Sequence, residues 1–99
     1  MRNIEPGMTA RSLAGHDKGG LFVVLRVQEE YLWLSDGKCR PVEKPKKKKI
    51  KHLQISYRKD EEINRALLAG SPVRNEEIRR FLRSAETEES TGIPIREED

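Results

Sequence analysis

A run of lysines in the middle of the chain is the part of the sequence most able to do chemistry. Six of the eight residues at positions 44–51 are lysines, and His52 follows them. Neighbouring like charges repel each other, so the run predicts an extended, mobile loop over residues 44–52 unless a counter-charge is present. A phosphate backbone would supply that charge, because an ammonium group on a flexible stem can follow irregular phosphate positions. A solubilising linker and a nuclear-import signal are the alternatives.

Basic and aromatic residues outside the run extend the candidate surface. Four cations that precede the run are expected near one rim of the fold, where they would widen the positive surface. Tyr31 and Trp33 share a face of a predicted strand and could stack on unpaired bases, at about 1 to 3 kcal/mol per base. A structural role is the more common one for aromatic side chains in so small a domain. The candidate phosphate-binding residues are Arg11, Lys18, Lys38, Arg40, Lys44, Lys46, Lys47, Lys48, Lys49, Lys51 and His52.

The two halves of the chain carry opposite net charge. Residues 1–59 contain 14 Lys and Arg against 6 Asp and Glu, a net charge of +8, whereas residues 60–99 contain 6 against 11, a net charge of −5. A basic half of this kind points toward a polyanionic partner, most often nucleic acid, and an acidic half limits unspecific binding. A solvated surface of uneven charge is the alternative.

Nothing in the sequence has the spacing of a catalytic or metal-binding motif. Gly15 and Gly20 are spaced like the glycines of a phosphate-binding P-loop, but an apolar pair stands where that loop needs Lys and Ser or Thr. Cys39 is the only cysteine, and with two histidines it offers too few ligands for a zinc site. We therefore expect no catalytic residue, no metal and no cofactor, and the protein is predicted not to be an enzyme.

The composition allows one small core surrounded by much solvated chain. Of the 99 residues, 34% are hydrophobic and 37% are charged, which suits a single domain with appendages. The longest apolar run has five residues, whereas a membrane span needs about 20. No secretion signal is recognisable at the N-terminus. We therefore expect a soluble protein of the reducing cytoplasm that does not contact membranes.

The first half of the chain has the pattern of short strands separated by turns. Strands are predicted over residues 8–13, 21–27, 31–35, 38–42 and 50–55. The second of these is apolar on both faces, with Arg26 on the same face as Phe22, and is predicted to be central. Asp36-Gly37 predicts a hairpin turn, and Pro41 places the returning strand at an edge. Five short strands without crossover helices favour a small open barrel or a tightly bent sheet.

The second half changes to a helical period. Asp60 is a predicted N-cap of a helix that ends at Gly70, and Asn75 is a predicted N-cap of a second helix. The second helix carries an apolar stripe that needs a partner surface. The sequence thus predicts a helical extension over residues 60–85. Residues 86–99 are acidic and lack periodicity, which predicts a disordered tail. The residues of the apolar stripe are Ile78, Phe81, Leu82 and Ala85.

Several segments of the first half resemble a known family. Gly7-Met8-Thr9-Ala10, Gly15-x-x-Lys18-Gly19 and Phe22-Val23-Val24 resemble a KOW motif, found in ribosomal large-subunit proteins and NusG-type transcription factors. Leu34-Ser35-Asp36-Gly37-Lys38-x-Arg40 and the lysine run up to Leu53 make the chain similar to the bacterial KOW-domain RNA-binding proteins. That family is related to a ribosomal protein group of archaea and eukaryotes. The resemblance covers residues 1–53.

The resemblance implies an SH3-like barrel that binds RNA, usually ribosomal RNA, through loops at the barrel ends. It makes Gly15 the motif glycine and assigns the basic loop positions to Lys18, Lys38, Arg40, Lys44 and Lys46 to Lys49. The fold expected is mainly β, with a barrel of about five strands over residues 1–55, two short helices and the acidic tail. The function expected is binding of RNA, with ribosomal proteins as further candidate partners, by a chain that is monomeric when free.

A protein-interaction adaptor is the alternative function from another class. SH3-like barrels also bind polypeptides, and the apolar stripe of the second helix could dock on a partner. The two functions differ in salt dependence. A hydrophobic dock would be nearly insensitive to added salt, whereas phosphate binding would weaken steeply.

Overall fold

The sheet is built from five short antiparallel strands. The computed structural model describes residues 3–91. The strands lie in the order β4-β3-β2-β1-β5, so β4 and β5 are the two edges and the small SH3-like barrel is open. The chain is therefore mainly β, with two helices after the sheet, as predicted. The elements are β1 (Met8–Ser12), β2 (Leu21–Gln28), β3 (Tyr31–Ser35), β4 (Lys46–Lys49), a 3₁₀ turn (Ile50–His52), β5 (Leu53–Lys59), α1 (Glu61–Ala69) and α2 (Asn75–Thr91).

Strand β2 is the centre of the molecule because both of its faces are covered. Phe22 and Val24 point into the barrel, where they pack with two leucines of β3. Leu21 and Val23 point to the opposite side and pack against the helices. All four side chains are buried, which confirms the prediction of a central strand. A strand buried on both faces is apolar at consecutive positions, as this sequence is.

A β-bulge changes the orientation of the second half of β2. Val24 pairs with Leu34, but the next register pair is Arg26 with Trp33, so one extra residue is inserted at Leu25. A shift of one residue moves the side chains that follow to the other face of the sheet. The prediction that Arg26 shares the face of Phe22 is therefore wrong. Arg26 lies on the outer face of the sheet, on the side of Trp33.

The segment after β3 forms a closed turn and not the strand predicted over residues 38–42. The carboxylate Oδ1 of Asp36 accepts hydrogen bonds from the backbone N–H groups of Lys38 and Arg40, at 2.9 and 2.8 Å. The hydroxyl of Ser35 donates to the carbonyl oxygen of Arg40 at 2.7 Å. These bonds use the backbone groups that a strand would offer to β3. The strand that pairs with β3 comes later, in the lysine run.

Helix α1 begins and ends where the sequence predicts. The side chain of Asp60 accepts a hydrogen bond from the N–H of Ile63 at 3.0 Å, and Gly70 ends the helix with a φ of 75°. The predicted capping role of Asn75 is wrong, because Asn75 is the first residue of α2. Its side-chain oxygen accepts a hydrogen bond from the N–H of Val42 at 2.8 Å instead. This contact ties the loop between β3 and β4 to the helix.

Helix α2 packs its apolar stripe on the outer face of β2. The stripe residues Ile78, Phe81 and Leu82 are buried together with Leu21 and Val23. The partner that the stripe needs is thus the sheet of the same chain, and an adaptor cannot use the stripe as a free docking surface.

The second helix is longer than predicted. Helix α2 extends to Thr91, so residues 86–91, predicted to be disordered, are helical. Once a helix is nucleated by packing, each further residue adds a backbone hydrogen bond, so it can continue beyond its apolar stripe. The rest of the predicted tail, residues 92–99, lies outside the described residues.

Candidate nucleic-acid interface

The lysine run is an edge strand and not the mobile loop predicted over residues 44–52. Strand β4 consists of four consecutive lysines and pairs with β3 in the register Lys46 with Leu34, Lys47 with Trp33 and Lys49 with Tyr31. Successive side chains of a strand point to opposite faces of the sheet. Four adjacent positive charges are thereby divided into two pairs, one on each face, and each pair has its own neighbours.

Lys46 and Lys48 point to a carboxylate of the glycine-rich turn after β1. The Nζ atom of Lys46 lies 2.8 Å from Oδ2 of Asp17, and the Nζ atom of Lys48 lies 3.0 Å from Oδ1. Lys48 also donates to the carbonyl oxygen of Ala14 at 2.8 Å, and Ser12 donates to Asp17 Oδ1 at 2.8 Å. The protein therefore supplies one negative charge of its own, shared between two of the four lysines of β4.

The ion pairs of this cluster lower the pKa of Asp17. Partial burial by itself would raise the pKa of the carboxyl group, but the contacts of Lys46, Ser12 and Lys48 outweigh it and hold the pKa far below its ordinary value. Asp17 is therefore ionised throughout the physiological range. The side chain of Lys48 is only 12% exposed, so this lysine is placed to hold the turn and not to reach a ligand.

Gly15 lies beside the Asp17 cluster. Its φ of 87° is in the left-handed region that favours glycine. A Cβ atom at this position would lie 3.4 Å from Nζ of Lys48 and 3.6 Å from Oδ1 of Asp17. The motif glycine of the KOW resemblance thus belongs to the turn that carries the counter-charge.

Lys47 and Lys49 point to the opposite face, where their neighbours are aromatic rings. The Nζ atom of Lys47 lies 4.5 Å from the ring centre of Tyr31 and 5.6 Å from that of Trp33. The Nζ atom of Lys49 lies 5.9 Å from the Tyr31 ring. Both distances from Lys47 and the one from Lys49 are within the range of cation–π contacts. Neither lysine is paired with a carboxylate among the described residues.

The bulge in β2 adds two polar side chains to the same face. Arg26 pairs with Trp33 and Gln28 with Tyr31, and directly paired residues of neighbouring strands point to the same side. Gln28 Oε1 accepts a hydrogen bond from Nε1 of Trp33 at 3.3 Å, which orients the indole ring. On this face Arg26, Gln28 and Lys47 are exposed, whereas Tyr31, Trp33 and Lys49 are half-buried. We call it the aromatic–basic face, defined by Arg26, Gln28, Tyr31, Trp33, Lys47 and Lys49.

The predicted site residues outside β4 are distributed over several loops. Arg11 is not free for a ligand, because it donates to the carbonyl oxygen of Gly19 and forms an ion pair with Glu86 at 3.2 Å. His52 is half-buried in the 3₁₀ turn. The remaining predicted cations are exposed and are Lys18, Lys38, Arg40, Lys44 and Lys51.

Helix α2 contributes two cations that are not among the predicted site residues. Arg79 donates to the carbonyl oxygen of Gly37 at 2.6 Å, which holds the turn after β3 on the helix. Arg79 and Arg83, one helical turn apart, line a cavity of about 300 Å³ together with Lys38. Asp36 and Glu86 line the same cavity, so its charge is mixed and it does not form a continuous positive surface.

The sequence predicts the lysines as candidate binding residues, but it does not show that two of them share a face with aromatic rings. Arg26 was missed because a bulge leaves no reliable signal in one sequence. The alternation of Tyr31 and Trp33 was the signal that could have led to the face. Once β4 is placed beside β3, odd-numbered lysines must lie beside these rings.

Comparison with known proteins gives no family for the chain, since no family model matches it and no curated protein sequence is significantly similar. Within residues 3–91, no helix is both long and apolar enough to cross a membrane.

Proposed function

We propose that the protein is a non-enzymatic RNA-binding protein of the cytoplasm that associates with ribosomal RNA. The resemblance to KOW-domain RNA-binding proteins and the basic first half of the chain support the proposal. The observation that carries it is the division of the lysine run. Asp17 forms ion pairs with both Lys46 and Lys48, whereas Lys47 and Lys49 lie on the aromatic–basic face without a carboxylate partner among residues 3–91.

The phosphate contacts follow from this division. Lys47 and Lys49 are the central cations, and exposed Lys44 and Lys51 flank them along the chain. Arg26 lies on the same face and can offer two parallel hydrogen bonds to one phosphate. If about five phosphates are neutralised, the slope of log affinity against log salt is about −3.5 for a single strand. Lys46 and Lys48 hold the turn and contribute little to this slope.

The proposal is tested with a double variant of the aromatic–basic face. Lys47→Gln with Lys49→Gln is expected to make the salt slope for a ribosomal RNA fragment less negative by about 1.4, because two phosphate contacts are lost. The slope is measured by titration at several salt concentrations. Arg65→Gln with Arg80→Gln is the matched control, since it removes the same charge from exposed positions of the two helices. This control is expected to keep the wild-type slope.

Two results would contradict the proposal. Equal salt slopes for the wild type and the Lys47/Lys49 variant would exclude the aromatic–basic face as the phosphate-binding surface. A wild-type protein that binds no RNA at low salt would exclude RNA binding altogether. Co-sedimentation with ribosomal particles from a lysate tests the ribosomal part, and its absence would limit the function to other RNA.

A further inference from the structure

The spacing of the two rings on the aromatic–basic face restricts the form of RNA that fits it. Tyr31 and Trp33 are two residues apart on β3, which places them about 6.8 Å apart along the strand. Neighbouring bases of a helical strand are stacked about 3.4 Å apart. Two adjacent bases can therefore cover both rings only if they are no longer stacked on each other. An extended, unpaired strand meets this condition.

Double-stranded RNA does not meet the condition that neighbouring bases are unstacked. In a paired helix each base is already stacked on both sides, and proteins recognise double-stranded RNA through its shape, its phosphates and its 2′-hydroxyl groups. Aromatic side chains would have no base surface to contact there. Lysines alone would serve a duplex as well as a single strand, so it is the two rings beside Lys47 that favour unpaired bases.

The lysine over the rings does not prevent stacking. A cation–π contact at an exposed site changes an equilibrium by about two- to fivefold, whereas one base stacked on an aromatic ring contributes about fivefold or more. The stem of Lys47 is flexible and its side chain is exposed. A base can thus replace the ammonium group over the ring, and the ammonium group can move to a neighbouring phosphate.

We propose that the aromatic–basic face binds unpaired RNA, with two bases stacked on Tyr31 and Trp33 and the adjoining phosphates bound by Lys47, Lys49 and Arg26. This inference rests on the proposed RNA binding and specifies its ligand as a single-stranded segment. Gln28 holds the Trp33 indole by accepting its N–H, so the ring is oriented before RNA arrives. The contact is sequence-tolerant because every base offers a flat face to an aromatic ring.

The fluorescence of Trp33 gives a direct test. Trp33 is the only tryptophan, so any quenching reports this ring alone. The wild-type chain is titrated with a single-stranded RNA oligonucleotide, with a duplex RNA of equal phosphate number and with inorganic polyphosphate, all at one salt concentration. We expect strong quenching by the single strand, little by polyphosphate, and at least about fivefold tighter binding of the single strand than of the duplex.

Variants separate stacking from charge. Trp33→Leu is expected to weaken single-strand binding about fivefold or more at every salt concentration, with the salt slope unchanged. Lys47→Gln is expected instead to make the salt slope less negative by about 0.7, because one phosphate contact is lost. Trp33→Phe keeps a ring and should retain most of the affinity. Tyr57→Leu removes an exposed aromatic side chain of β5, outside this face, and is the matched control.

The outcomes distinguish this inference from the proposed function. If the chain binds single-stranded and duplex RNA equally and Trp33 is not quenched, stacking is wrong and the proposed phosphate binding stands. If the chain binds no RNA, both are wrong. If Trp33→Leu fails to fold, Tyr31→Leu replaces it and Trp33 quenching is still measured. Full quenching combined with unchanged affinity of Tyr31→Leu would exclude the two-ring arrangement.

Discussion

Asp17 is the residue on which the conformation of the lysine run depends. Four consecutive lysines in one strand would repel each other, and the carboxylate between Lys46 and Lys48 offsets that repulsion on one face. The same contact leaves the other two lysines available on the opposite face. One acidic side chain thus sets both the local structure and the number of lysines that can reach a ligand.

Replacing Asp17 by Asn is expected to destabilise the protein at neutral pH. The change leaves two partly buried ammonium groups without their counter-charge, which costs about 1 to 3 kcal/mol of the free energy of unfolding. Urea denaturation at pH 7 measures the loss. Glu30→Gln is the control, since it removes one exposed carboxylate beside the 3₁₀ turn that follows β4. A variant as stable as the wild type would show that Asp17 does not hold the lysines.

The pH dependence of stability gives a second readout for Asp17→Asn. The pKa of Asp17 is lower in the folded protein than its ordinary value of 3.8. The ionised carboxylate therefore stabilises the fold above that value, and its contribution is lost as the pH falls toward the lower pKa of the folded state. The wild type should lose stability below about pH 4 more steeply than the variant. Parallel curves would contradict this assignment.

At the scale of elements, the sequence predicts those parts whose signals are local. Strand β3 and helix α1 have the predicted bounds because alternation, an Asp cap and a terminal glycine act within a few residues. Strand β4 was missed because its counter-charge, Asp17, is about thirty residues away in the sequence, and because lysine is uncommon in strands. The outer position of Arg26 was missed because it depends on a bulge. The candidate site could therefore be predicted as a set of lysines but not as a face.

The turn after β3 is the element that attaches the sheet to helix α2. Gly37 has a φ of 75°, and a Cβ atom there would lie 2.7 Å from the carbonyl oxygen of Asn75 and 2.9 Å from Cγ of Arg79. Contacts this short cannot be accommodated without a shift of the helix or the turn. Gly19 has a similar φ of 89°, but a Cβ atom there would have no neighbour within 4 Å. A comparison of alanine substitutions at the two glycines therefore distinguishes the cost of backbone strain from the cost of steric overlap.

Gly37→Ala is expected to be more destabilising than Gly19→Ala. The positive φ alone costs about 1 to 2 kcal/mol at either position, and overpacking adds about 1 to 3 kcal/mol at Gly37 only. Thermal or urea denaturation of the two variants measures the difference in the free energy of unfolding. Equal losses would mean that the turn does not press against α2. The binding of RNA by the folded variants should be unchanged, because neither glycine lies on the aromatic–basic face.

At the scale of the whole molecule, the helical extension is part of the folded domain and not an appendage to the barrel. Leu21 and Val23 of the central strand are covered by α2, so removal of the helices would expose part of the core. Arg11 and Glu86 join the basic sheet to the acidic helix across 75 residues of sequence. The opposite charges of the two halves therefore meet within one structure, while the aromatic–basic face lies apart from this contact.

Phe81→Ala is the change that tests this organisation. Phe81 is 6% exposed and packs in the cluster under α2, so its truncation should lower the free energy of unfolding by about 3 to 5 kcal/mol. Leu68→Ala is the control, since Leu68 is 66% exposed and its loss should have little effect. Denaturation measures stability, and RNA titration of the folded fraction should give wild-type affinity. If Phe81→Ala kept full stability, α2 would not depend on the sheet, and its apolar stripe would again be available to a protein partner.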